Sequence, residues 1–445
     1  MAKDLTVGNT RKVLWKFSLA LFISVIFQQF YNLADTIIAG KFAGENALSA
    51  VGVSYPITMI FMAIALGSNI GCSVVISKLF GAKQFENVKT AIYTTLLCSL
   101  VLSVVLTAIG IGGTTLFLNL INTPADIFAD TATYYKIYML GFCFLFMYNI
   151  TTGIFTALGD AITPLIFLIA SSLLNIVLDY VFVAKFSWGV AGVAWATFIA
   201  QGLACILLLI SLIFKIKTIK TSTHIIKFSV VMLKKIMLMS LPSILQQSFV
   251  SIGNIFVQSI INGFGSSVIA GFTAGVKLNT FVVTCLMTLA NGVSSFTAQN
   301  IGAKQVDRVK EGFRAGIELG IALCIPFIIA YSFFGDNLVR LFMKEESVVA
   351  VNAGSQYLKI VSPFYIVALF KIVADGVLRG AGTMRYFMIS TFADLILRVL
   401  LSFILAHFLQ ELGVWISWPI GWSVGMIVAL TFYFKGVWKK GVNKI

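Results

Sequence analysis

Long apolar runs alternate with short polar connections along the whole chain. Twelve of these runs, near residues 14–40, 48–77, 90–117, 130–156, 162–184, 189–214, 233–262, 268–298, 312–335, 352–378, 386–409 and 412–435, are long enough to cross a bilayer. A helix needs roughly 18 or more apolar residues to do so. Each run reads as a helix, because lipid offers no water to unpaired backbone groups and leaves only helices and closed barrels as spanning structures. The expected fold class is an all-α integral membrane protein.

The pattern also repeats. Gly81-Ala82-Lys83-Gln84 recurs as Gly302-Ala303-Lys304-Gln305, 221 positions later, each copy between an apolar run and a charged amphipathic one. Gln28-Gln29 matches Gln246-Gln247 at an offset of 218, and Gly153, Gly159 and Trp195 match Gly376, Gly382 and Trp418 at 223. Six helices followed by six in the same order make parallel repeats, related by an axis along the membrane normal. The expected organisation is an N-terminal six-helix lobe at 1–214, a linker at 215–232 and a C-terminal six-helix lobe at 233–445. Two like bodies suit a transporter that alternates access between the two sides of a membrane.

Composition supports the membrane reading. Hydrophobic residues make up 59% of the chain and charged residues 11%, against about 25% charged in soluble domains. The net charge of +15 does not point to nucleic acid, because its position along the chain matters. Most of the 32 Lys and Arg residues fall in segments on one predicted side of the membrane, including Lys78–Lys89, Lys215–Lys235, Arg379–Arg385 and Lys435–Lys444. That is the cytoplasmic bias of short loops, and it places both termini in the cytoplasm. The first apolar run is too long for a cleavable signal peptide and lacks a small-residue cleavage site. The six cysteines stand singly in apolar spans, as small core residues rather than metal or redox pairs. Glycines four apart, such as Gly67/Gly71, Gly271/Gly275 and Gly421/Gly425, read as close packing within each lobe rather than a dimer motif. A monomer is expected.

Ionisable residues inside spans carry the functional signal. A charge at mid-bilayer costs about 2.5–3.5 kcal/mol even on lenient scales, so each must be paired, hydrated or useful. Gln28, Asn32 and Asp35 share one face of the first helix. Asn175 and Asp179 share a face of the fifth, and Thr197 and Gln201 a face of the sixth. Their oxygens suit Na⁺ at Asp35, Asn175 and Asp179, or equally a carboxylate that loads and releases a proton. Asp394 and Arg398, and Lys371 and Asp375, stand at i and i+4 and read as structural ion pairs along one helix. Glu318 belongs near the cytoplasmic end of its span, and Lys277 has no local partner in the sequence. His224 in the linker and His407 form no cluster, and no cofactor or metal-ligand spacing is present.

Several motifs resemble those of the multidrug and toxic compound extrusion (MATE) family. They are Asn32-Leu33-Ala34-Asp35-Thr36, Gly40-Lys41-Phe42-Ala43-Gly44, Leu174–Tyr180, Gln299-Asn300-Ile301-Gly302-Ala303 and Leu378-Arg379-Gly380-Ala381-Gly382. The resemblance covers essentially the whole chain. It implies a multidrug antiporter of the prokaryotic cell membrane that exports amphipathic, often cationic compounds in exchange for H⁺ or Na⁺. By position it puts cation coupling on Asp35 and Asp179, with Asn175 and Thr197 as polar partners. Gln28, Tyr31, Asn32, Gln201 and Gln247 become candidates for a substrate cavity. Some members of the family place essential acids in helices seven and ten; here the seventh span contains no acid, and Asp375 does not match the tenth-helix position. A flippase for lipid-linked sugars on a related scaffold is the alternative function. A membrane-embedded enzyme would need a catalytic cluster that two isolated histidines do not supply.

Overall fold

The computed structural model describes residues 4–38, 42, 45–221, 225–342 and 347–444, with the side chains of 32–37, 45–48 and 443–444 outside that description. The described residues form α1 (Thr10–Ile38), α2 (Glu45–Gly81), α3 (Phe85–Gly112), α4 (Thr114–Leu120), α5 (Phe128–Ala157), α6 (Ile162–Asp179) and α7 (Gly189–Thr218) in the first repeat. The second repeat holds α8 (Val230–Ile261), α9 (Ser266–Gly302), α10 (Val306–Arg340), α11 (Val348–Val361), α12 (Tyr365–Gly380), α13 (Met384–Leu409) and α14 (Glu411–Phe434). No strand occurs among them. Twelve segments are long and apolar enough to cross a membrane, as the apolar runs predict. Helix α4 is too short to be one of them. Helices α11 and α12 form a single span, interrupted by a 3₁₀ turn at Ser362–Phe364 with a proline in its first turn. Pro363 lacks the N–H that would continue the α-helical ladder.

The repeated turns have the same geometry in both copies. Lys83 and Lys304 both adopt the left-handed conformation, at φ 56° and 59°. Gln84 N donates to Leu79 O at 3.1 Å, and Gln305 N donates to Asn300 O at 2.8 Å. These six-to-one bonds cap the carbonyls that a helix end leaves without partners. A second matched pair, Gly159 and Gly382, turns at φ 74° and 76°.

The chain folds into two compact units, one of Met1–Asp4 and Leu19–Ile244, the other of Leu5–Ser18 and Leu245–Ile445. The unit borders therefore fall inside α1 and α8 rather than in the basic connection between the repeats. In the first unit, a Cβ on Gly67 or Gly71 of α2 would run into the backbone of Ile244 or Ser240 on α8. Those glycines are what let the two helices approach so closely. Buried aromatics on α2 and α5, among them Phe61, Phe142 and Phe146, form the apolar interior there.

In the second unit the segment before α1 is held by its backbone. Leu5 N donates to Gln299 Oε1 at 2.9 Å, and Arg308 Nη1 donates to Gly8 O at 2.7 Å. Thr10 Oγ1 donates to Glu311 Oε2 at 2.6 Å, and Trp15 Nε1 donates to Ala315 O at 3.0 Å. Gln299 and Asn300 belong to a motif that the sequence marks without explaining. Here Asn300 Nδ2 reaches Leu5 O at 3.4 Å and its Oδ1 accepts from Arg308 Nε at 3.0 Å. Glu318 pairs with Arg11 at 2.7 Å, in keeping with its expected place near one end of its span.

The α5–α6 connection carries a half-buried ion pair. Asp160 Oδ2 lies 2.8 Å from Lys215 Nζ. The same oxygen accepts from Thr163 Oγ1 at 3.0 Å, and Oδ1 accepts from Thr163 N at 3.1 Å, which caps the start of α6. Burial pushes the Asp160 carboxyl up, but the Lys215 and Thr163 hydrogen bonds together with the Lys215 charge outweigh it, so the group sits below its ordinary value.

Two predictions arise from these turns. Gly159→Ala and Gly382→Ala are each expected to lower stability by about 1 kcal/mol, because a Cβ is strained in the left-handed region; thermal unfolding of the detergent-solubilised protein measures this. A group whose folded pKa is depressed adds stability that is complete above its unfolded value and is lost as pH falls through the folded one. Wild-type stability is therefore expected to fall on acidification below the ordinary carboxylate range, and Asp160→Asn to flatten that part of the melting temperature against pH. An unchanged profile in Asp160→Asn would assign the acid loss to other groups.

Candidate functional site

Asn175 and Asp179 are one turn apart on α6 and almost fully buried, at 1% and 0% exposure. One orientation of the Asn175 amide satisfies both of its ends. Its nitrogen donates to Asp179 Oδ2 at 2.7 Å and its oxygen accepts from Thr197 N at 3.1 Å on α7. Thr197 Oγ1 donates to Val193 O at 3.1 Å within its own helix. The structure thus brings together Asn175 and Asp179, which share a helix face, and Thr197 of the next helix. Asp179 is also the last α-helical residue before a π-helical segment, Tyr180–Lys185. Such wider turns are rare and concentrate at functional sites.

Asp35 and Asn32 lie among the residues whose side chains are outside the description. Gln28 is exposed, and Tyr31 and Gln201 are half-buried, all three in the first unit. Gln247 is half-buried in the second. His224 also falls outside the described residues. Lys277 is exposed on α9.

The second unit contains a buried charged cluster whose connections differ from the expected ones. Lys371 lies 3.5 Å from Asp375 Oδ2, the pair that i and i+4 spacing on α12 suggests. It also lies 3.0 Å from Asp394 Oδ2 on α13. The expected Asp394–Arg398 pair does not form. Arg398 instead stands over the Trp418 ring of α14, 4.3 Å from its centroid, and Lys371 takes the carboxylate from the facing helix. Asp375 also accepts a short hydrogen bond from Ser390 Oγ.

Arg379, which the positive-side bias assigns to a cytoplasmic segment, is buried at 5% exposure. Helix α12 runs on through it, and its Nη2 donates to Asn291 Oδ1 at 2.7 Å. Gln246, singled out in the sequence only as half of a matched pair, is also buried beside this cluster.

Glycines make room for the cluster. A Cβ on Gly425 of α14 would come 2.7 Å from Lys371 Cε and 2.9 Å from Asp394 Cβ, and one on Gly421 2.7 Å from Asp394 Oδ1. The four-residue glycine spacing on α14 is thus the space that the charged side chains of α12 and α13 occupy.

A buried carboxylate stripped of its cation is costly, so Lys371→Met is expected to destabilise the protein by about 3–5 kcal/mol. Gly425→Ala is expected to cost about 1–3 kcal/mol by overpacking the same side chains. Thermal unfolding in detergent measures both, and a Lys371→Met protein as stable as wild type would mean that this pair does not hold the second unit together.

The chain was compared with known proteins. The family model described as MatE matches residues 20–181 and 242–404, one stretch in each repeat. The probable multidrug resistance protein YpnP of Bacillus subtilis is 29% identical, over 98% of this chain and 98% of its own. The probable multidrug resistance protein YoeA of the same organism is 28% identical, over 98% and 96%. Among solved structures, a MOP superfamily transporter from Pyrococcus furiosus is 25% identical with a TM-score of 0.91, covering 99% of this chain and 98% of that one. An outward-facing multidrug resistance MATE family transporter, at 24% identity, has the same TM-score and coverage and shares the fold.

Proposed function

The chain belongs to the MatE family, whose members are transporters and not enzymes, and on that premise we propose that it is a multidrug efflux antiporter. It exports amphipathic, cationic compounds across the cell membrane by alternating access, with both termini cytoplasmic. The names of its Bacillus subtilis relatives support multidrug efflux, and the loop charge bias supports the orientation.

The observation that carries the coupling is the fully buried Asp179 with Asn175 and Thr197 beside it. The resemblance adds Asp35 to this group. A carboxylate away from water is a site that a cation entering from outside can neutralise. Ion entry and drug release are then linked through one charge.

H⁺ and Na⁺ make different demands on these residues. Na⁺ needs a shell of oxygens. In the orientation that satisfies both of its ends, the Asn175 amide puts its nitrogen towards Asp179 and its oxygen against Thr197 N. Proton loading leaves that arrangement in place, whereas Na⁺ would require the amide to turn over. That orientation supports a proton as the coupling ion at Asp179.

Proteoliposomes with separately imposed gradients test this. A pH gradient alone is expected to drive ethidium efflux and an Na⁺ gradient alone is not. Asp179→Asn is expected to abolish the driven component while leaving ethidium binding in place. Efflux that follows Na⁺ alone would replace the proton, and undiminished efflux in Asp179→Asn would remove this site from coupling.

A further inference from the structure

The charged cluster of the second unit does not balance. Lys371, Arg379 and Arg398 are three cations at 4%, 5% and 6% exposure, and Asp375 and Asp394 are two acids at 6% and 3%. Lys371 serves both acids. No described carboxylate lies in ion-pair range of Arg379 or Arg398. Arg398 is covered by an aromatic face. Arg379 has neutral oxygens, Asn291 Oδ1 at 2.7 Å and Ser294 Oγ at 3.5 Å, and the Phe387 ring at 5.7 Å. A buried cation without a counter-charge is unfavourable in a low dielectric. One negative charge brought in from outside would restore neutrality.

There is space for it beside Arg379. A small pocket within the second unit is lined by Gln246 of α8, Lys371, Asp375 and Arg379 of α12, and Phe387 and Thr391 of α13. Two of these side chains have hydrogen-bonding capacity to spare. Thr391 Oγ1 and Gln246 Oε1 have no partner among the described residues, although they are buried at 3% and 4% exposure. A hydroxyl can donate to an anion, whereas the Gln246 oxygen can only accept and takes no part in holding one. The one acid in the lining, Asp375, is already matched by Lys371 and the Ser390 hydroxyl. Guanidinium, ammonium and hydroxyl around one space make a recognition site for a small anion.

We propose that this pocket binds a small inorganic monoanion, held by Arg379 and Lys371 and completed by the Thr391 hydroxyl. The pocket has room for about one water-sized group, which fits a halide and not an organic acid. The site is separate from the Asp179 group and does not depend on how that group couples transport.

Calorimetric titration of the full-length protein in nanodiscs tests the proposal. The probes are sodium chloride and sodium bromide, against sodium gluconate at equal ionic strength. Saturable binding at one site per chain is expected for at least one probe. Arg379→Gln is expected to weaken it about tenfold, the loss of a charge-assisted hydrogen bond. Arg379→Lys is expected to keep it within about threefold, and ethidium binding should be unchanged in both. Should Arg379→Gln fail to fold, Thr391→Val decides, with an expected weakening of about threefold from one lost neutral hydrogen bond. Absence of saturable binding by either probe overturns the proposal, as does binding that none of the folded variants weakens.

Discussion

A charge inside a bilayer must have its compensation beside it, because neither water nor lipid will supply it. In the second unit this requirement falls on Lys371. It stands between Asp375 on its own helix and Asp394 on the next, at 3.5 and 3.0 Å. Helices α12, α13 and α14 are arranged around that ammonium. Gly421 and Gly425 leave α14 bare where the charged side chains lie, and Trp418 of the same helix covers Arg398. A chain that could hydrate these groups would have no need of so specific an arrangement.

The two repeats use the same backbone for different electrostatics. Their turns superpose in conformation, with lysine at φ 56° and 59° and glycine at φ 74° and 76°. Their buried polar groups do not correspond. Asn175 and Asp179 on α6 match Arg398 and Ser402 on α13, while Lys371, Asp375 and Arg379 on α12 match Tyr148, Thr152 and Thr156 on α5. The described part of the first repeat therefore offers a buried acid and the second an excess of buried base. A duplicated scaffold tolerates this because packing is set by small and apolar positions. The few polar positions are free to diverge as long as each remains compensated.

The family motifs acquire distinct physical roles. Gln299 and Asn300 hold the backbone of the segment before α1. Arg379, inside another motif, is a buried cation against Asn291. The Asn175–Asp179 motif ends at the change from α to π winding. None of these is a packing residue in the ordinary sense, and each involves a partner far away in the chain.

Twelve spans, two repeats and the presence of ionisable groups within lipid were legible from the sequence alone. Apolar run length, recurrence and loop charge depend on local composition, which the bilayer reads directly. Asn175 and Asp179 were legible for the same reason, since i and i+4 on a helix fix a shared face. Partners on different helices were not. Asp394 has Arg398 one turn away on its own helix, yet it bonds Lys371, because the rotation and crossing of α12 and α13 decide which side chains meet. Likewise Arg379 counts as a loop cation by position and as a buried one by fold, since α12 runs on to Gly380, just past the apolar run, and carries it inside. Helix rotation is set by how glycines and bulky residues interlock across an interface. That is a property of pairs of helices, and only the tertiary structure decides it.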